Sequence, residues 1–226
     1  MKFTYLTTSI LSIGLMVGCA QADATADKAA EAAQASLKDA AAMAKDKMAP
    51  GADISAISSG TYKADAGHAY IAFSYDHQGY SKPILRWNKF DATVNLDSDN
   101  PENSTVSVSI DAKSVDSGVD VWDKKLVSSE WFDAGKYPNI TFTSTGVDQT
   151  VLGQGYLDGN LTIKDVTKPV RLHTTLNKAG QHFRRKTDMF GVSATADIKR
   201  ADFGLTGSGS NAPEIHIMVE IEFQKQ

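Results

Sequence analysis

Glu214-Ile215-His216-Ile217-Met218-Val219-Glu220-Ile221-Glu222-Phe223 is the stretch that decides the fold. Ile215, Ile217, Val219, Ile221 and Phe223 fall on one face of an extended chain, and Glu214, His216, Met218, Glu220 and Glu222 on the other. Side chains alternate across a strand, so this period of two marks a strand with one apolar face. The same alternation sets Phe90, Ala92, Val94 and Leu96 against Asp91, Thr93, Asn95 and Asp97, and Val106, Val108 and Ile110 against Ser107, Ser109 and Asp111. Further strands are expected over 62–65, 69–77, 139–147, 154–163, 170–176 and 192–200. Turn residues at 97–101 and 207–211 separate them. Val119, Trp122 and Leu126 stand at helical spacing and mark one short helix. The fold class is therefore all-β, with about eight or nine strands that are mainly antiparallel by their short connections. A barrel of about eight strands is wide enough to hold one small ligand. The pattern alone fits a sandwich equally.

Ahead of the strands the composition changes twice. Lys2 is followed by an apolar run from Leu6 to Val17 and then Gly18-Cys19. That run is too short for a bilayer span, which needs about 20 residues, and it reads as a secretory signal over residues 1–18. Met16-Val17-Gly18-Cys19 has the form of a lipobox, which makes Cys19 a lipidation site. Lipidation would also account for a lone cysteine in an exported chain. The alternative is an ordinary signal peptide whose cleavage removes Cys19. A triacylated Cys19 would anchor the chain stably to a membrane. Ala20, where enteric-type retention uses aspartate, points to the outer membrane. Residues 19–59 are alanine-rich, with few larger apolar side chains (Leu37, Met43, Met48), and read as a helical or disordered tether. Residues 60–226 form the folded domain, which has no disulfide to rely on and must bury a core. The net charge of −4 offers no broad electropositive face, so nucleic acid is excluded as a partner.

No catalytic motif is legible: G-x-S-x-G, H-E-x-x-H and phosphate-cradling loops are absent. His68 and His77 fall on opposite faces of a regular strand, and no Cys, His or Glu cluster has zinc spacing. Asp97, Asp99 and Glu102 resemble the start of a calcium loop, which Pro101 breaks. His182-Phe183-Arg184-Arg185-Lys186 is the one dense cationic run. It is either a solvated loop or a place for phosphate oxygens, which suit forked guanidinium donors. Phe73, Trp87, Phe90, Trp122, Trp131, Phe132, Phe142, Phe190 and Phe203 supply either an ordinary core or the wall of an apolar tunnel. Burying a five-carbon apolar unit in such a tunnel is worth roughly 3–4 kcal/mol at about 0.8 per CH₂.

Ser114-Val115-Asp116-Ser117-Gly118, then Leu126, Trp131-Phe132-Asp133 and Tyr137-Pro138-Asn139-Ile140-Thr141-Phe142, occur in a specific order. Gly159-Asn160-Leu161-Thr162-Ile163 with Val166-Thr167-Lys168-Pro169-Val170 is a second block, and Arg200-Ala201-Asp202-Phe203-Gly204 a third. Together they resemble the bacterial YceI-like family, over 61–223. Ala69, Leu85, Trp122 and Lys125 depart from the family pattern. The resemblance implies a lipocalin-like barrel in the periplasm that binds a long isoprenoid lipid, a polyprenyl phosphate or prenylated quinone, and sequesters or carries it. It implies no enzyme activity and no cofactor beyond that ligand. The implied cavity lining is Phe73, Phe90, Trp122, Leu126, Trp131, Phe132, Phe142, Leu161, Ile163, Phe190 and Phe203. His77, Arg86, Arg184 and Arg185 are the implied head-group residues. Implied partners are the lipid, the membrane through Cys19 and a membrane quinone-using protein; a homodimer is one arrangement left open. Rival readings are a lipid-modifying enzyme using His68, His77 or Asp123, and an envelope stress or structural module with a filled core.

Overall fold

The computed structural model describes residues 53–151, 153–205 and 213–226. Strands cover Gly60–Tyr75 (β1), Ile84–Trp87 (β2), Phe90–Leu96 (β3), Thr105–Asp111 (β4) and Val115–Asp116 (β5). They continue with Asn139–Val151 (β6), Gln154–Ile163 (β7), Val166–Gln181 (β8), Asp188–Lys199 (β9) and Glu214–Lys225 (β10). A helix, Asp120–Leu126 (α1), stands between β5 and β6. The signal, lipobox and most of the tether read from the sequence lie outside the described residues, as do the turn residues 207–211.

All pairings are antiparallel, and β10 pairs along β1 to close the sheet. That closure decides for a barrel over a sandwich and removes the exposed strand edges. β2 and β3 both pair with β1 and form one strand broken at Asn88 and Lys89. β4 and β5 are likewise one strand, parted by the 3-10 turn Ala112–Ser114. Counted this way, the barrel has eight strands in simple up-and-down order.

β1 joins the stretches expected at 62–65 and 69–77 into one strand that stops at Tyr75, because a register shift between Ala64 and Ala69 bends it past two partners. β8 is longer than expected and takes in Pro169. It pairs with β9 only from His173 to Gln181, so Pro169 has a sheet partner on one side alone and its missing N–H goes unnoticed. Burial along β3 follows the alternation, with Ala92, Val94 and Leu96 buried.

The topology gives the barrel two unlike ends. At one lie the 76–83 connection, α1 with the 117–138 crossing, the Lys164-Asp165 turn and the segment after β9. At the other lie the 97–104 and 182–187 turns and both ends of the strand sequence. Aromatic side chains close this second end. Tyr62 is fully buried; its ring meets Phe190 edge-on at 5.3 Å, and Phe190 stacks on Phe223 at 5.0 Å. The Tyr62 hydroxyl donates to the Ser58 carbonyl at 2.6 Å. Ile57, within the stretch read as tether, is buried in the same cluster.

Asp188 fastens this floor by accepting from the Ser58 hydroxyl at 2.5 Å and the Ser58 N–H at 3.0 Å. Those bonds hold its carboxyl below the ordinary range. A depressed folded value means stability that is present above the unfolded value and lost as pH falls through the folded one. Asp188→Asn is therefore expected to cost about 1–2 kcal/mol at neutral pH. Its deficit relative to the parent should vanish in acid, as read by urea unfolding across pH.

Candidate functional site

Inward-facing side chains do not meet in the middle of the barrel: they enclose a cavity of about 700 Å³. The reason is partly the choice of side chain on the inner face. Gly159, on the same inward row of β7 as Leu157, Leu161 and Ile163, has no side chain, and the Phe142 ring occupies that place. A Cβ on Gly159 would lie 2.2 Å from Phe142 Cζ and 2.7 Å from the Thr143 carbonyl oxygen. The glycine thus lets the ring lie back into the wall. Gly159→Ala is expected to push Phe142 toward the lumen and to cost about 1–3 kcal/mol as overpacking, measurable by denaturant unfolding.

The most exposed residues bordering the cavity, His77 and Val119, stand at the α1 end with half-buried Pro83 and Ser117. With the aromatic floor at the opposite end, this places the mouth between the 76–83 connection and α1. A smaller hollow of about 140 Å³ at the floor end shares Val147, Thr174, Phe190 and Val192 with the main cavity.

α1 is set over the mouth by local hydrogen bonds. The Asp123 carboxylate accepts from the Ser117 N–H at 2.8 Å and hydroxyl at 2.5 Å. The last turn is held by the Phe132 N–H on the Leu126 carbonyl and the Ala134 N–H on Val127. Leu126, Phe132 and Ala134 are buried as a result. Trp122 and Trp131 then meet edge to face at 5.5 Å, Lys125 lies 5.9 Å over Trp122, and Arg200 lies 5.4 Å over Trp131. The indole N–H groups of Trp87, Trp122 and Trp131 are buried without an acceptor among the described residues. Edge-on aromatic packing, in which a positive ring edge meets a negative face, is their setting instead. Burial pushes the Tyr75 phenol up; the neighbouring Trp122 indole works against that shift without reaching hydrogen-bond geometry.

Among the residues expected at the cavity, Phe73, Phe132 and Phe142 border it, as do Trp122, Leu126, Trp131, Leu161 and Ile163, and Phe190 borders it at the floor end. Phe90 and Phe203 do not. Phe90 is half-buried beside the Asn88-Lys89 break, and Phe203 is buried as the anchor of the 3-10 turn Arg200–Phe203. The expected head-group residues are not brought together. His77 borders the mouth, whereas Arg86 sits outside it, 3.6 Å from Asp116. Arg184 and Arg185 belong to the 182–187 turn at the floor end. There Arg184 lies 5.1 Å over Phe183, and Arg185 donates to Asp65 at 3.1 Å and Gln224 at 2.7 Å. His68 is exposed beside Asp65, away from the cavity, and Asp123 is committed to Ser117. Among the described residues, no three of His, Cys, Asp or Glu gather as a metal site.

Sequence reasoning missed Tyr75, Ser117, Val119 and Arg200 at the mouth. Apart from Phe190, it also left the inward rows of β8 to β10, such as Leu172, Val192, Ile217 and Val219, unassigned to the cavity. The alternation of β10 was signal enough for the last two.

A family model described as YceI-like domain matches residues 62–224. A UPF0312 protein of Yersinia enterocolitica is 36% identical over 168 residues, 71% of this chain and 84% of that one. In structure the chain is similar to BcnA of Burkholderia cenocepacia, with a TM-score of 0.64 and 23% identity over 70% of this chain and 98% of BcnA. It is also similar to a polyisoprenoid binding domain from Saccharophagus degradans, with a TM-score of 0.55 and 14% identity over 73% and 98% of the two chains.

Proposed function

The chain belongs to the YceI-like family, and on that premise we propose that it binds a long isoprenoid lipid inside the barrel and sequesters or carries it in the cell envelope. One observation carries the reading: a cavity of about 700 Å³ whose wall is almost wholly aliphatic and aromatic, opening at one end. Ligand cavities of small-molecule binders run from about 300 to 1,000 Å³ and are mostly apolar with few polar groups. A tail entering at α1 leaves water along its whole length, which is the dominant favourable contribution to such binding. The cavity also speaks against a filled-core structural module. The similar barrel from Saccharophagus degradans, described as polyisoprenoid binding, supports the same ligand class. Binding rather than turnover fits the placement of the acid-base candidates: His77 borders the cavity, whereas Asp123 is bonded to Ser117 and His68 lies exposed beside Asp65. Export to the periplasm, a lipid on Cys19 and placement at the outer membrane belong to the same proposal, and the mass of the mature protein tests the lipid.

The deciding experiment is solvent extraction of the purified protein followed by mass spectrometry. An isoprenoid present in near-stoichiometric amount is expected. A protein that carries no lipid and takes up neither a prenylated quinone nor a prenyl phosphate on titration overturns the proposal.

A further inference from the structure

Arg200 is the one permanently charged side chain that borders the cavity among the described residues, and no carboxylate borders it with Arg200. It is half-buried and makes no ion pair among the described residues. Its guanidinium lies over the Trp131 ring, which holds the cation in place through the face of an indole. The backbone beneath it is fixed. The Arg200 N–H donates to the Pro213 carbonyl at 3.0 Å, the Leu205 N–H returns to the Arg200 carbonyl at 3.1 Å, and Gly204 closes the turn at φ 65°. Phe203, buried at the end of the same 3-10 turn, pins the segment to the barrel. A guanidinium set against an apolar void is poorly solvated, and a counter-charge offered by a ligand meets little competition from water.

The geometry points to Arg200 as the residue that selects an anionic head group, a phosphate or carboxylate on the isoprenoid, over a neutral alcohol or quinone. The inference rests on the lipid-binding reading and deepens it. The head group sits at the α1 end between Arg200, Trp131 and His77, and the tail runs toward Phe190. Forked N–H donors match two oxygens of one phosphate or carboxylate. The Arg184-Arg185 turn, at the far end and already engaged with Phe183, Asp65 and Gln224, takes no part.

The test uses the delipidated full-length protein, with binding followed by quenching of tryptophan fluorescence. The probes are geranylgeranyl phosphate, geranylgeranoate and geranylgeraniol. The two anions are expected to bind at least tenfold tighter than the alcohol, with the gap narrowing as sodium chloride is raised. Arg200→Gln should close the gap by weakening the anions at least tenfold, far more than it changes the alcohol, and Arg200→Lys should restore part of it. Equal binding of all three by the parent, or an anion preference that survives Arg200→Gln, overturns the inference while leaving the cavity reading intact. Failure of all three to bind overturns both. Should Arg200→Gln not fold, a preference in the parent that is flat with salt overturns the role of charge on its own.

Discussion

Ala194→Trp is expected to weaken prenyl ligand binding by 100-fold or more while the barrel stays folded. Ala194 stands in the middle of β9, opposite Val219 of β10 and Thr174 of β8, and all three border the cavity. It is buried, yet it contributes only a methyl to the wall. An indole there projects across the lumen and occupies the space a tail would take. Because it enters an existing void instead of a packed core, the overpacking cost is small, and added contacts can raise stability. The 100-fold loss corresponds to about 2.8 kcal/mol, less than the gross value of one isoprene unit denied its place. Thr195→Trp, one residue on and exposed on the outer face, is the control and should bind as the parent does. Titration with geranylgeranyl phosphate, together with thermal melts of both variants, checks this. Undiminished binding by folded Ala194→Trp would mean the ligand lies outside the barrel.

The contrast between Ala194 and Thr195 is the kind of feature the sequence does disclose. Period-two patterning reveals which residues face inward, and β3, β4 and β10 appear where alternation predicts them. Physically this works because a one-residue slip would turn the whole apolar row to solvent, so register is strongly specified. The pattern does not reveal how far an inward side chain reaches. Phe142 is wall instead of filler only because Gly159 across the β6–β7 ladder leaves it room, a relation between strands that no window along the chain contains. Short β2 and β5 were invisible as strands, since four and two residues hold no period. The cationic run 182–186 drew attention by density, whereas its place depends on which end of the barrel its hairpin closes. Arg200 lay inside a recognised block, and its role at the mouth comes from the stacking on Trp131, far away in sequence.

Tyr62→Ala is expected to cost about 3–5 kcal/mol, as large-to-small changes of buried aromatics do, and to loosen the closed end of the barrel. Tyr62 is the side chain on which the floor converges. It pairs across the sheet with Val94 and Lys225, its ring meets Phe190, and its hydroxyl holds the Ser58 carbonyl. Burial pushes its phenol up, so the hydroxyl remains a donor across the working pH range. Removing the ring leaves a void beside Phe190 and frees the Ser58 segment that leads into β1. Tyr62→Phe separates the two contributions: it keeps the packing, loses one hydrogen bond, and should cost about 1 kcal/mol. A domain of ordinary stability has about 5–15 kcal/mol in total, so the alanine variant should shift the urea midpoint strongly at an unchanged slope. A cost under 1 kcal/mol for Tyr62→Ala would mean the aromatic cluster merely occupies the floor, and that strand pairing alone keeps the far end shut.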